Sequence, residues 1–255
     1  MKKNTDVAWE RWGQQDPYFA VLAERKYRKV NIENVKASFF ESGQLHVADV
    51  LGKIEEHFGP VSRGHALDFG CGVGRLLIPL AKKFNRVTGL DVSRAMLEEA
   101  SKNLAERRID NVDLLESDDA LSRLGDRRFD FIHTYIVLQH ISAARGYVIV
   151  RNLLRHLASG GTFFIHVCCR RNLPLVRELV YFCKTKIPGA YILFNLLQRK
   201  KMSEPVMAGN EYDVGTLLEA FQEAGFEDLM TNLENRSNCL TASFYSKKTK
   251  NDHLG

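Results

Sequence analysis

Along the chain the spacing of apolar positions changes twice. In residues 1–62, Leu45, Val47, Val50, Leu51, Ile54 and Phe58 recur at helical intervals until Gly59-Pro60 end the run, and no strand pattern is visible. From residue 65 onward, short apolar runs alternate with amphipathic stretches. Residues 65–69, 86–90, 112–116, 129–134 and 162–167 read as strands. Between them, 75–84, 93–107 and 143–157 read as helices, the second capped by Ser93 and the third ended by the turn Ser159-Gly160-Gly161. Past Arg170 the pattern loosens. Two helical pieces at 173–182 and 191–197 are parted by Pro188-Gly189 and followed by Arg199-Lys200-Lys201 and Pro205. A helix over 214–224 then closes on Gly225, and strands over 227–232 and 240–245 form a terminal hairpin through 234–238. A polar tail over 247–252 reads as frayed.

Strands separated by helices require right-handed crossovers, which give a parallel sheet covered on both faces. The expected class is therefore α/β: a doubly wound, mostly parallel seven-stranded sheet with an antiparallel last strand, an N-terminal helical segment and a helical insertion after strand five. Residues 1–62 are expected to form a helical cap and 63–255 one domain, with an insertion at about 170–210 serving as a lid or a dimer surface. A length of 255 residues suits this division, and 45% apolar with 26% charged residues is ordinary for a folded globular chain. Five cysteines without a C-x-x-C spacing suggest neither a disulfide framework nor a zinc ribbon, and point to a reducing compartment. The amino terminus shows no signal-peptide core, and the most apolar stretch, 187–197, is about half a bilayer span, so a soluble cytoplasmic protein is expected. The net charge of +5 reads as local basic patches on a cover, and a nucleic-acid partner is not expected.

The segment richest in chemistry is Asp68-Phe69-Gly70-Cys71-Gly72-Val73-Gly74-Arg75. Glycines at 70, 72 and 74 let the backbone turn sharply after the first strand and approach a ligand, beside the amino end of a helix. A dinucleotide loop would read G-x-G-x-x-G; here the spacing is G-x-G-x-G. An acid two places before the first glycine repels a pyrophosphate but suits an ammonium group. Asp91 ends the second strand, Asp118-Asp119 follow the third, and His133-Thr134-Tyr135 lead from the fourth into Gln139-His140-Ile141.

These motifs, in this order over residues 64–170, resemble the class I S-adenosylmethionine-dependent methyltransferases. The resemblance implies S-adenosyl-L-methionine as cofactor and no metal. It places Asp68, Gly70, Cys71, Gly72, Gly74 and Arg75 around the loop, with Asp91 holding the ribose hydroxyls and Val92 and Met96 following it. It places Asp118 on the adenine amino group and the Asp119 N–H on the ring, a pair that a shift of one residue would exchange, with Thr134, Tyr135 and Gln139 completing the set. Transfer of a methyl group from a sulfonium needs alignment above all, because the leaving group is a neutral thioether. A hydroxyl acceptor gains from a base, for which His140 is the candidate, although its alternative role is to shape the pocket. Tyr18, His166, Arg170 and Tyr212 are candidates for contacting the acceptor. The expected acceptor is a small molecule or glycan precursor, methylated on oxygen or nitrogen. An RNA or protein methyltransferase and a non-catalytic cofactor-binding subunit are the alternatives, and a homodimer stays open.

Overall fold

The computed structural model describes residues 4–187, 189–197, 204–207, 209–236 and 239–249. Pro188, Arg199-Lys200-Lys201, the Ser237-Asn238 turn and the end of the polar tail lie outside them. The chain opens with three helices, α1 (Asn4–Gln15), α2 (Pro17–Leu22) and α3 (Ile32–Phe58). The third starts well before the run at 45–58 because its first half buries Phe39 and Phe40 against α1 and α2 instead of the sheet, on a different face from Val47, Leu51 and Ile54. Gly59, at φ +76°, ends it.

The sheet follows. Strands β1 (His65–Phe69), β2 (Arg86–Asp91), β3 (Val112–Glu116), β4 (Phe129–Thr134) and β5 (Leu157–Arg171) are parallel, and β7 (Cys239–Lys247) joins β5 antiparallel and pairs with β6 (Leu229–Arg236). The order is β3-β2-β1-β4-β5-β7-β6, so the connections reverse direction between β1 and β4. In such a sheet the crevice beyond the carboxyl ends of those two strands is the ligand position. Helices α4 (Leu77–Ala81), α5 (Arg94–Ala105), α6 (Ala143–Arg155), α7 (Leu175–Lys186), α8 (Ala190–Leu197) and α9 (Val214–Glu223) fill the connections. Successive strand residues face opposite layers: Leu67, Ile132 and Phe163 pack with α6 and α9, while Ala66, Phe131 and Phe164 pack under α3. Each large apolar side chain buried this way contributes about 1.5–3 kcal/mol.

Several other boundaries differ from the sequence reading. The connection expected over 234–238 is shorter, because Glu234, Asn235 and Arg236 pair with Thr241, Leu240 and Cys239 as the end of β6, and the first helix of the insertion runs over 175–186 and not 173–182. The helix expected over 75–84 shrinks to α4 because the loop consumes the chain as far as Leu76, with Gly70, Gly72 and Gly74 all at positive φ. Ser159-Gly160-Gly161 is not a turn before the fifth strand but lies inside it. Leu157 already pairs with Phe129, and the register shift between Phe129 and Phe131 absorbs the extra residues as a bulge, with Gly160 at φ +72°. Among the described residues no helix is long and apolar enough to cross a membrane.

Candidate functional site

A cavity of about 580 Å³ opens at the carboxyl edge where β1, β2 and β4 end, a size suited to a cofactor-sized ligand. Its floor is the glycine loop. At Gly70, φ is +76° and a Cβ would fall 2.3 Å from Val137, so the loop and the segment after β4 meet in a space that only glycine leaves open. The Gly72 N–H donates to Asp91 Oδ2 at 2.8 Å, and the Ser93 N–H donates to Asp91 Oδ1 at 2.9 Å. Each oxygen thus keeps one bond to backbone and has capacity left for a ligand facing it. Burial pushes the Asp91 carboxyl up to about 6, against those two hydrogen bonds, which pull it down. Val92 and Met96 continue this wall; Met96 is held by the N-cap, whose Ser93 Oγ accepts from the Met96 N–H at 3.2 Å.

The opposite wall comes from the first two helices. Thr5, Asp6 and Trp9 of α1 and Ala20 and Val21 of α2 line the cavity. Glu10 fixes α1 to the amino end of α5, its Oε2 accepting from Ser93 Oγ at 2.9 Å and from the Ala95 N–H at 3.3 Å. Arg145 of α6 binds both sides, donating to Asp119 at 2.7 Å and to Asp6 at 3.1 Å. Trp9 stands edge-on to His140, with 4.9 Å between ring centroids.

Asp118 and Asp119 both line the cavity and are separated by their partners. The Asp118 carboxylate accepts from the Ser122 N–H and hydroxyl, which holds it below the usual carboxylate range, and the Asp119 carboxylate belongs to Arg145. Tyr135 and His140 reach the cavity as well, beside Ile136. Ile136 has φ +62°, a region that a β-branched side chain enters only under strain of about 1–3 kcal/mol. Strain of this kind concentrates where a wall must be shaped against its own preference.

Several residues anticipated from the sequence stand behind the cavity and do not line it. Cys71 is buried, its thiol pushed far up by desolvation, and Gly74 packs against Ala100. Arg75 turns toward α3, where it donates to Ser42 Oγ at 3.3 Å. Thr134 is fully buried, and Gln139 sits beside the His140 ring outside the lining. Of the acceptor candidates, Tyr18 donates to Glu99 and Asn103 in the N-terminal core, and Tyr212 donates to the carbonyls of Leu138 and Ile141 as a brace. His166 is buried edge-on to Tyr135, and Arg170 is exposed near the carboxyl end of β5, opposite Leu240 of β7.

Asp68 is buried at the end of β1, one oxygen 3.0 Å from His133 Nδ1. That contact fixes the ring tautomer with its proton on Nδ1, leaving Nε2 to accept from His46 Nε2 on α3 at 3.0 Å. The other oxygen, Oδ2, has no hydrogen-bond partner among the described residues. His46 stacks on Tyr135 at 3.9 Å, so this chain runs from behind the glycine loop to the cavity wall. No local sequence signal links His46, His133 and Asp68. The cap residues Asp6 and Trp9 and their α6 partner Arg145 carry no motif either.

Residues 66–161 match the family model described as a methyltransferase domain. The chain is 28% identical over 132 residues to a ubiquinone biosynthesis O-methyltransferase of Rickettsia felis, covering 51% of this chain and 52% of that protein. It is 30% identical over 135 residues to the enzyme of the same name from Coxiella burnetii, covering 53% of each. The chain spans about half the length of the curated relatives it matches. In fold, the chain resembles magnesium protoporphyrin IX methyltransferase from Synechocystis, with a TM-score of 0.61 at 16% identity over 96% of this chain and 100% of that one.

Proposed function

We propose that the protein transfers a methyl group from S-adenosyl-L-methionine to an oxygen or nitrogen of a small-molecule acceptor. The observation that carries this reading is Asp91. Its carboxylate is presented at the end of β2, oriented by the Gly72 and Ser93 N–H groups and bordering the cavity. The donor set fits the cofactor: two carboxylate oxygens for a ribose diol, Met96, Ile136 and Val137 as apolar surface for an adenine, and glycine backbone where a Cβ would fill the space. When bound, the cofactor supplies an electrophilic methyl on a sulfonium. The chain's own residues orient the acceptor, and α1 with Trp9 excludes water from the cavity. Residues 1–62 act as the cap of a catalytic unit formed by 63–255. The two relatives named as O-methyltransferases support oxygen as the acceptor atom.

His140 is assigned as the group that accepts the proton of a hydroxyl acceptor, because it is the histidine that lines the cavity. His140→Ala then lowers turnover about 10²–10⁴-fold and leaves cofactor affinity unchanged. Loss of affinity and turnover together would assign it to shaping the pocket. Calorimetry with S-adenosylmethionine, S-adenosylhomocysteine and NAD tests the central proposal. Binding of the first two and not of NAD is expected, and binding of NAD alone overturns it. A metabolite-extract screen for a mass gain of one methylene identifies the acceptor.

A further inference from the structure

The positive charge of the chain is concentrated in one stretch. Residues 172–201 hold six Lys and Arg against one acid, Glu178, a local charge of +5, while the rest of the chain has 30 basic against 30 acidic residues and carries no net charge. The whole excess of +5 therefore sits in the insertion that contains α7 and α8. The same insertion bares its apolar side chains. On α7, Leu175, Val176, Leu179 and Phe182 are exposed at intervals that place them on one face, with Leu175 at 85%. On α8, Ile192, Leu193, Leu196 and Leu197 do the same. Arg177 and Lys184 fall on the other side of α7 by helical spacing.

We propose that the α7–α8 hairpin docks on an anionic bilayer surface, its apolar face entering the boundary between headgroups and acyl chains and its basic residues meeting the lipid phosphates. An amphipathic pair too short to span, with Lys and Arg beside bare Leu, Phe and Ile, has the composition of an interfacial helix. Each basic residue near such a surface strengthens binding about fivefold. A second copy of this chain is the competing occupant of the face, and charge opposes it: the contact would bring the +5 of one insertion against the +5 of the other while removing water. An anionic surface meets both properties of the hairpin, and a like-charged copy meets only one.

The hairpin is also tied to the cavity wall. The Tyr181 hydroxyl of α7 donates to the Gly209 carbonyl at 3.0 Å and accepts from the Gly209 N–H at 2.8 Å. The next residue, Asn210, donates through its backbone N–H to the Gln139 carbonyl at 2.6 Å and through Nδ2 to the same oxygen at 3.1 Å. Gln139 immediately precedes His140. On the other flank Asn195 of α8 donates to the Glu204 carbonyl, and the Glu204 carboxylate pairs with Arg28 at 3.0 Å. A docked hairpin thus lies beside the His140 side of the cavity.

The test is co-sedimentation of the full chain with vesicles of equal parts phosphatidylcholine and phosphatidylglycerol, and with phosphatidylcholine alone, alongside sedimentation equilibrium without lipid. It needs no turnover and is independent of the methyl-transfer reading. Partition onto the mixed vesicles at least about tenfold stronger than onto phosphatidylcholine, and weakening with salt, is expected. Leu179→Glu combined with Leu193→Glu lowers that partition at least about tenfold, with circular dichroism and thermal midpoint unchanged because both positions are exposed. Equal partition onto the two compositions, or full binding by the double variant, overturns the proposal. So does a lipid-free dimer that the double variant splits while neither protein binds vesicles, a result that assigns the face to a second copy.

Discussion

The two walls of the cavity are built from different physics. The sheet wall rests on buried groups with buried partners: Asp91 on two backbone N–H groups, and Asp68 on the His133 ring and through it on His46. The cap wall, from α1, is anchored away from the cavity by Glu10 on Ser93 and by the buried Trp12, and on its cavity side is fastened by side-chain ion pairs and a ring contact nearer the surface, Arg145 between Asp6 and Asp119 and Trp9 against His140. Groups of the first kind are costly to disturb, because a buried polar atom left without its partner pays its full desolvation. Groups of the second kind are screened by water and salt and can part without unfolding anything. One wall therefore fixes the ligand's position, and the other sets whether the cavity is open.

Four measurements can break or sharpen this contrast. His133→Ala removes a fully buried ring together with the donor to the buried Asp68 carboxylate and should cost about 3–5 kcal/mol in urea denaturation. If it costs no more than the cap variant below, the contrast fails. The pH response of Asp91 comes next. With its carboxyl at about 6 when folded, above the ordinary carboxylate range, the native state holds more protons than the unfolded chain in between. Stability from this group is thus greatest at low pH and declines as pH rises from about 4 to about 6, by up to about 3 kcal/mol. Cofactor binding, which needs the ionised form, rises over the same interval. Comparing the parent protein with Asp91→Asn isolates the slope, and equal pH dependence in the two removes Asp91 from the account.

Third, Asp91→Ala should weaken S-adenosylmethionine binding about a hundredfold in calorimetry, since two hydrogen bonds to a charged acceptor are lost. Smallest is Arg145→Ala. It should speed cofactor dissociation about tenfold in stopped flow and leave the unfolding midpoint within about 0.5 kcal/mol of the parent, as expected for a partly exposed ion pair. A large loss of stability there would place the cap in the core of the fold.

This division also marks what could be read from the sequence. The sheet wall was legible because its elements follow each other at short range. Apolar strands end in glycine or acid, and Asp91 lies one helix and one strand beyond Gly74. The cap wall was not legible, since Glu10 meets Ser93 and Asp6 meets Arg145 across separations that no period encodes. Tyr18 and Tyr212 drew attention as polar aromatics, yet their hydroxyls satisfy buried partners, the usual fate of a tyrosine inside a fold. The turn expected at Ser159-Gly160-Gly161 failed for another reason. Glycine marks a bulge as readily as a turn, and only the pairing of Leu157 with Phe129 distinguishes the two.

The placement of Arg145 has a kinetic corollary. Its Nη2 donates both to a carboxylate of the cap and to a carboxylate of the cavity wall, with Nε adding a second bond to the wall, so parting α1 from the wall and admitting or releasing a ligand are a single event. The lifetime of whatever the cavity encloses is then governed by ionic strength even when the enclosed molecule makes no ionic contact, and concentrated salt should shorten residence time more than it changes affinity.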